Sequence, residues 1–122
     1  MSSEKIRHAA NDKQLASLGD AFVNFIYSLA LTKINGRPQA TKVSDRILAE
    51  AFRLAGLREY LGTRLSKKDL ANAAESLLID AYNKQLISID ESVSILTQNP
   101  SDLEVGLSNL LKLSADRIGA AS

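Results

Sequence analysis

The sequence predicts an all-α fold in one domain, and three observations carry that prediction. Apolar residues recur at spacings of three and four along most of the chain, hydroxyl residues followed by an acid three positions on precede three of these runs, and no segment alternates as a strand does. A chain of 122 residues is long enough for one domain and too short for two ordinary ones. At this size it buries roughly two thirds of its extended surface without a disulfide or a structural metal. No internal repeat, linker or low-complexity block interrupts it.

The elements follow in order. A short polar helix is predicted from Ser3 to Asn11, then a long apolar helix from Gln14 to Ile34, in which Leu15, Leu18, Phe22, Phe25, Ile26 and Leu29 repeat at helical spacing. It stops at Asn35-Gly36-Arg37-Pro38, where Gly36 can take positive φ and Pro38 cannot donate a hydrogen bond. Val43, Ile47, Leu48, Ala51, Phe52 and Leu54 mark the next helix, which ends at Gly56. Ser66-x-x-Asp69, Ser88-x-x-Glu91 and Ser101-x-x-Glu104 announce three further helices, because a hydroxyl and an acid at that spacing reciprocally satisfy free N–H groups at a helix start. The first of the three runs from Lys67 to Gln85, with Leu70, Ala74, Leu77, Leu78 and Ala81 facing one way. Asn99-Pro100 separates the other two, and the last carries Leu103, Leu107, Leu110, Leu111 and Ile118 on one stripe.

Composition excludes several classes of function. Lys and Arg number 15 against 14 Asp and Glu, so bulk attraction to nucleic acid or membrane is not available and any nucleic-acid contact must come from a local cluster. Cysteine is absent, which removes disulfides and thiolate metal sites. The polar start, Met1 to Arg7, and the residues Thr32-Lys33-Ile34-Asn35 after the longest apolar run do not make a secretory signal. That run, Ala21 to Leu31, is broken by Asn24 and Ser28 and falls short of the roughly 20 residues that span a bilayer. A soluble cytoplasmic protein with no membrane partner is expected.

The most informative segment is Leu15-Ala16-Ser17-Leu18-Gly19-Asp20-Ala21-Phe22, which sets a carboxylate on a stretch apolar almost all round. Unpaired, Asp20 would be costly to desolvate, so it should meet a metal ion, a cation, a helix end or water. Locally, Gly19-Asp20 also reads as a break, with Asp20 capping a helix that begins at Ala21. Glu75 is a candidate partner, on the flank of the Lys67 to Gln85 apolar face beside Ala71 and Tyr82. Two helices packed by their apolar stripes can bring Asp20 and Glu75 together at the margin of the core, where carboxylates can share a divalent cation such as Mg2+.

At these residues the chain resembles a family. Leu15 to Phe22 is similar to the signature helix of ribonuclease III domains, in which a Leu-Gly-Asp-Ala core carries a metal-binding aspartate. Lys42-Val43-Ser44, then Leu48-Ala49 and Ala55-Gly56-Leu57 with Tyr60-Leu61, resembles the family's segment between its two acidic helices. Ala74-Glu75-Ser76-Leu77-Leu78 resembles the second acidic helix, whose glutamate is the other metal ligand. The resemblance is clearest over residues 14–86. It implies a single ribonuclease III-like domain over residues 1–122, homodimeric, that uses Mg2+, with Mn2+ as substitute, to hydrolyse double-stranded or structured RNA. No separate double-stranded-RNA-binding domain is expected, a pattern most like the Mini-ribonuclease III class and short archaeal ribonuclease III-like proteins.

The departures from the family pattern bear on the site. Ala16 stands where full-length relatives carry a glutamate, and Asn72 where they carry an aspartate, so two of the family's four acidic positions are neutral. The resemblance thus makes Asp20 and Glu75 the catalytic metal ligands, with Asn72 donating a carbonyl oxygen and waters filling the remaining positions. No histidine or nucleophilic serine is required, and His8 has no partner at ligand spacing. Lys42, Arg46, Arg64, Lys67 and Lys68, near the ends of the two middle helices, are candidate phosphate contacts, although each also reads as part of a solvated face. Arg64-x-x-Lys67-Lys68 is the best of the set, because basic residues at a helix start oppose its dipole and a phosphate would relieve them.

Dimerisation has its own sequence argument. The Gln14 to Ile34 helix is apolar on two stripes, one with Leu18, Phe22, Phe25 and Leu29, the other with Val23, Ile26 and Ala30. A helix apolar all round in a small bundle either sits at its centre or shares a face with a second subunit, and Leu18, Phe22, Val23, Phe25 and Ile26 are the expected interface. The helix from Ser101 to Ile118 has no counterpart in the resemblance and can either cap the core or extend the dimer contact. Two readings stand beside the endoribonuclease: a catalytically weak or inactive relative that binds structured RNA or an RNA-processing partner, and a helical protein-interaction module.

Overall fold

Ser66 and Asp69 begin the helix around which the rest of the molecule packs. Ser66 Oγ accepts from the Asp69 N–H at 3.1 Å and Asp69 Oδ2 accepts from the Ser66 N–H at 2.9 Å, closing the reciprocal cap predicted from the sequence. The computed structural model describes residues 2–121, as α1 (Ser2–Ala10), α2 (Lys13–Asn35), α3 (Asp45–Leu54), a 3-10 turn (Arg58–Tyr60), α4 (Lys67–Asn83), α5 (Ile89–Thr97) and α6 (Leu103–Ala120). Among the described residues there is no strand, and the fold is all-α.

Helix α4 touches α1, α2, α3 and α6, so it is buried on nearly every side. Leu70, Ala74, Leu77, Leu78 and Ala81 form the predicted core stripe, and Ala71, Ala73 and Ile79 are buried with them. Alanines at four of these positions let the neighbouring helices approach closely. Ser76, also buried, donates its hydroxyl to the carbonyls of Ala9 and Asp12, which ties the α1–α2 turn to α4. Glu75 was expected on a half-exposed flank and is instead 5% exposed, because α2 covers the flank that a single-helix projection leaves open.

Helix α2 begins at Asp12, whose side chain accepts from the Gln14 N–H, and ends at Gly36 with φ of 73°. It runs unbroken through Gly19 and Asp20, so Asp20 is not a cap. By length and composition α2 could cross a membrane, which the interrupted apolar run had not suggested. Here it packs against α4 and α5, with Phe22, Val23, Ile26 and Ala30 buried. Val23 and Ile26, expected at a dimer interface, have no exposed surface, and Phe22 is 8% exposed beside the Tyr82 ring at 4.9 Å. The stripe containing Val23 and Ile26 is the core of the single chain, and only Leu18 and Phe25 of the expected set remain open.

A second property of α2 is a polar ladder. Asn24, Ser28 and Thr32, one helical turn apart, hold the extended segment that follows the helix. Asn24 Oδ1 accepts from the Val43 N–H at 2.8 Å. Ser28 Oγ accepts from the Thr41 N–H at 2.9 Å and donates to its carbonyl at 3.2 Å, and Thr32 Oγ1 does the same with Gln39 at 3.1 and 3.2 Å. Alternate residues of an extended chain and every fourth residue of a helix advance by similar distances, which is why the two match.

The remaining helices follow the predicted starts with two changes. Ser88 caps α5 by accepting from the Glu91 N–H, but the Glu91 carboxylate turns to Arg117 of α6 at 2.7 and 3.0 Å rather than back to the cap. Helix α6 is capped by Asp102, not Ser101, since the turn after Asn99-Pro100 bonds Asp102 N–H to the Asn99 carbonyl and carries the start one residue on. Its Leu107, Leu110, Leu111 and Ile118 cap the core.

Candidate functional site

The site begins with a missing side chain. A Cβ at Gly19 would lie 2.2 Å from the Glu75 carbonyl oxygen and 2.5 Å from its carbon, so α2 and α4 touch backbone to backbone at this point. That contact is open only to glycine. It puts the next residue, Asp20, beside Glu75, so that both carboxyl groups line one cleft and each acts on the other's titration.

The pair is electrostatically unequal. Burial pushes the Glu75 carboxyl up to about 8, helped by the hydrogen bond to Asp20, by the Asp20 charge and by Asp45, with Lys68 opposing. Asp20 is held below the ordinary carboxylate range, first by the hydrogen bond from Glu75 and, against its own desolvation, by Lys42 and Lys68. Of the two, Glu75 is therefore the one that favours holding a proton.

The two carboxyls open into a cleft of about 670 Å³ with three walls. Helix α2 supplies Lys13, Ala16, Ser17 and Asp20; the segment entering α3 supplies Lys42, Val43, Ser44 and Asp45; and α4 supplies Lys68, Asn72 and Glu75. Lys42 Nζ donates to both Asp20 oxygens at 3.3 Å, and Lys68 pairs with Asp45 at 3.7 Å. Asn72 lies one turn before Glu75 on the same wall. Among the described residues no three His, Cys, Asp or Glu side chains converge closely enough to hold a metal by themselves. The two carboxylates with the Asn72 carbonyl offer hard oxygen donors of the kind Mg2+ and Mn2+ take, with water filling the other positions. The buried, proton-bearing Glu75 fits such an ion, because a cation would replace the proton between the two carboxylates.

Of the basic residues picked out in the sequence, Lys42 and Lys68 line this cleft. Arg46 turns away to Glu104 of α6 at 3.4 Å, and Arg64 and Lys67 are exposed outside the cleft walls, Arg64 with φ of 58°. His8 is exposed on α1 and does not line the cleft of the two carboxylates; it sits in a separate hollow with Glu4, Arg7 and Glu59. Sequence reasoning missed Lys13 and Asp45. Lys13 lies seven residues before Asp20 and so on the same helical face, a signal that was available; Asp45 follows the cap residue Ser44 and depends on where α3 docks. A larger hollow of about 740 Å³ lies between Tyr82 and Glu91, but its Glu91 and Arg117 are paired with each other.

An all-helical domain in which two central helices meet at a glycine, beside a carboxylate pair rimmed by lysines, is the class of protein the fold and the cleft define. The family model described as Ribonuclease III matches residues 13–118, and the chain belongs to that family. The matched region takes in α5 and most of α6, so the last helix, which had no counterpart in the sequence resemblance, is part of the family's domain. A comparison with curated proteins gives no match.

Proposed function

We propose that the chain is an endoribonuclease that cuts double-stranded or structured RNA as a homodimer, with Asp20 and Glu75 as ligands of a catalytic Mg2+ that Mn2+ can replace. The observation that carries this reading is the Gly19 contact, which joins the two carboxylates in a lysine-rimmed cleft within a ribonuclease III domain. Phosphodiester hydrolysis needs a water deprotonated near neutral pH, a phosphoryl oxygen neutralised and a leaving oxygen stabilised, and a bound Mg2+ supplies that chemistry. The chain's own residues do the rest. Asp20 and Glu75 would hold the ion through oxygen, the Glu75 proton passing to solvent water, and Asn72 would add a neutral donor in the position where longer relatives are acidic. Lys68 at the rim meets the RNA backbone as a point charge.

Leu18 and Phe25, 52% and 51% exposed on the outer face of α2, are the proposed contact between two copies. With two neutral positions, Ala16 and Asn72, and a near-balanced net charge, RNA affinity should be modest and fall as salt rises. The second reading, a relative that binds structured RNA without cutting it, is favoured by the same two neutral positions and by the Lys42 ammonium already seated on Asp20. Incubation of an end-labelled RNA duplex with the protein in Mg2+, Mn2+ or a chelator separates them. Cutting that requires the metal supports the nuclease; duplex binding with no cutting in either metal overturns it in favour of the binder.

A further inference from the structure

Asp20 has a cation before any metal arrives. Lys42 Nζ lies 3.3 Å from both of its oxygens, although 75% of the Lys42 side chain is exposed. An exposed lysine ordinarily gains little from such a contact, because ordering a long side chain offsets most of the Coulomb attraction. In this protein the backbone on either side of Lys42 is fixed. Thr41 is bonded to Ser28 through both its N–H and its carbonyl, and the Val43 N–H is bonded to Asn24. Asn24 and Ser28 lie one and two turns beyond Asp20 on the same stripe of α2; the polar ladder holds residues 41 and 43 against that stripe, and the side chain of Lys42, fixed between them, reaches back along the helix to Asp20.

The charges around the cleft bear on how many cations it can take. Three lysines, Lys13, Lys42 and Lys68, and three acids, Asp20, Asp45 and Glu75, line it together. With all three carboxylates ionised the six groups balance, so one divalent ion already leaves the cleft positive and a second would meet uncompensated repulsion. Ala16 and Asn72 add no negative charge to offset it.

We infer that Lys42 is a resident cation of this site: it neutralises Asp20 in the metal-free protein, limits the cleft to one divalent ion, and contacts a non-bridging oxygen of the phosphate bound at that ion. The inference rests on the nuclease reading for its phosphate contact, but its effect on metal binding does not. Asn24, Ser28 and Thr32 act as positioning residues for Lys42 through the segment they hold.

The test is titration of Mn2+ into the intact chain, with free ion followed by electron paramagnetic resonance, for wild type, Lys42→Gln and Lys42→Arg, each checked for native helicity by circular dichroism. The wild type should bind one Mn2+ per chain. Lys42→Gln should bind it about tenfold tighter and admit a second ion, because a positive charge next to a ligand has been removed, while Lys42→Arg stays close to wild type. At saturating metal and RNA, Lys42→Gln should cut a duplex at least about tenfold more slowly than wild type, and Lys42→Arg should retain most activity. Two equally tight ions in the wild type, unchanged or weaker Mn2+ binding by Lys42→Gln, or full cutting by Lys42→Gln would each overturn the assignment. A wild type that binds one Mn2+ but cuts no RNA would instead overturn the nuclease reading and with it the phosphate contact, leaving the counter-cation role to be decided by the Mn2+ affinities.

Discussion

Replacing Gly19 with alanine tests whether the backbone contact between α2 and α4 builds the site. In the interior of an exposed helix the change stabilises by roughly 0.5–1 kcal/mol, since glycine loses more backbone freedom on folding. Here the added Cβ would lie 2.2 Å from the Glu75 carbonyl oxygen and 2.9 Å from the Glu75 Cβ, and neither belongs to the flexible end of a side chain. The helices must part by about 1 Å along their contact, an overpacking that costs about 1–3 kcal/mol in well-packed interiors and lies at the upper end where backbone meets backbone. The net expectation is a loss of about 1–2 kcal/mol, or about 4–8 °C in melting temperature for a domain of this size. Gly106→Ala is the comparison: its Cβ would meet the Leu96 carbonyl oxygen at 3.0 Å, so a smaller shift accommodates it. Thermal and urea unfolding followed by circular dichroism read both. Because the contact also sets the spacing of the two carboxyls, Gly19→Ala should weaken Mn2+ binding as well. A Gly19→Ala protein as stable as wild type, or more so, with unchanged Mn2+ affinity would refute the argument.

Three other expectations follow from the same geometry. Glu75 has a folded-state value of about 8 against an ordinary 4.5, so its contribution to stability is complete below 4.5 and is lost as pH rises through about 8; melting in chelator should fall between about pH 4.5 and 8 and level off above, Mg2+ should restore more at the higher pH, and Glu75→Gln should flatten this dependence. Leu18→Glu and Phe25→Glu, both on exposed positions, should leave the helical content intact and convert a dimer to a monomer by light scattering, and a wild type already monomeric at micromolar concentration would remove the proposed interface. Asn24→Ala leaves the Val43 N–H without its partner and should cost about 1–2 kcal/mol, with faster amide exchange along residues 39–43 than in α2 itself; unchanged exchange there would show that the ladder does not hold the segment.

The helical punctuation was plain in the sequence. Gly36 and Gly56 take the positive φ their turns required, and Ser66 with Asp69 closes the reciprocal cap. The two acidic helices and the family were also legible, because Leu-Gly-Asp-Ala and Ala-Glu-Ser-Leu-Leu stand in the right order. What periodicity cannot give is which neighbour covers a face. Val23 and Ile26 belong to an apolar stripe that reads equally as core or interface until α4 and α5 are docked on it, and the burial of Glu75 depends on α2 lying across it. Gly19 was ambiguous for a related reason: inside a helix, glycine reads as a break unless a partner backbone is known to touch it. Asn24 and Ser28 were counted as interruptions of an apolar run, whereas with Thr32 their spacing of four is a polar stripe with its own partner, the segment that carries Lys42.

The central claim is that Asp20 and Glu75 form one cation site, and Mn2+ binding by Asp20→Asn and Glu75→Gln tests it most directly. Both variants replace a carboxylate with an amide of nearly the same shape, so both should keep wild-type helicity and each should lose most of the Mn2+ affinity, with RNA cutting lost alongside. Mn2+ held by either folded variant as tightly as by the wild type would contradict the account.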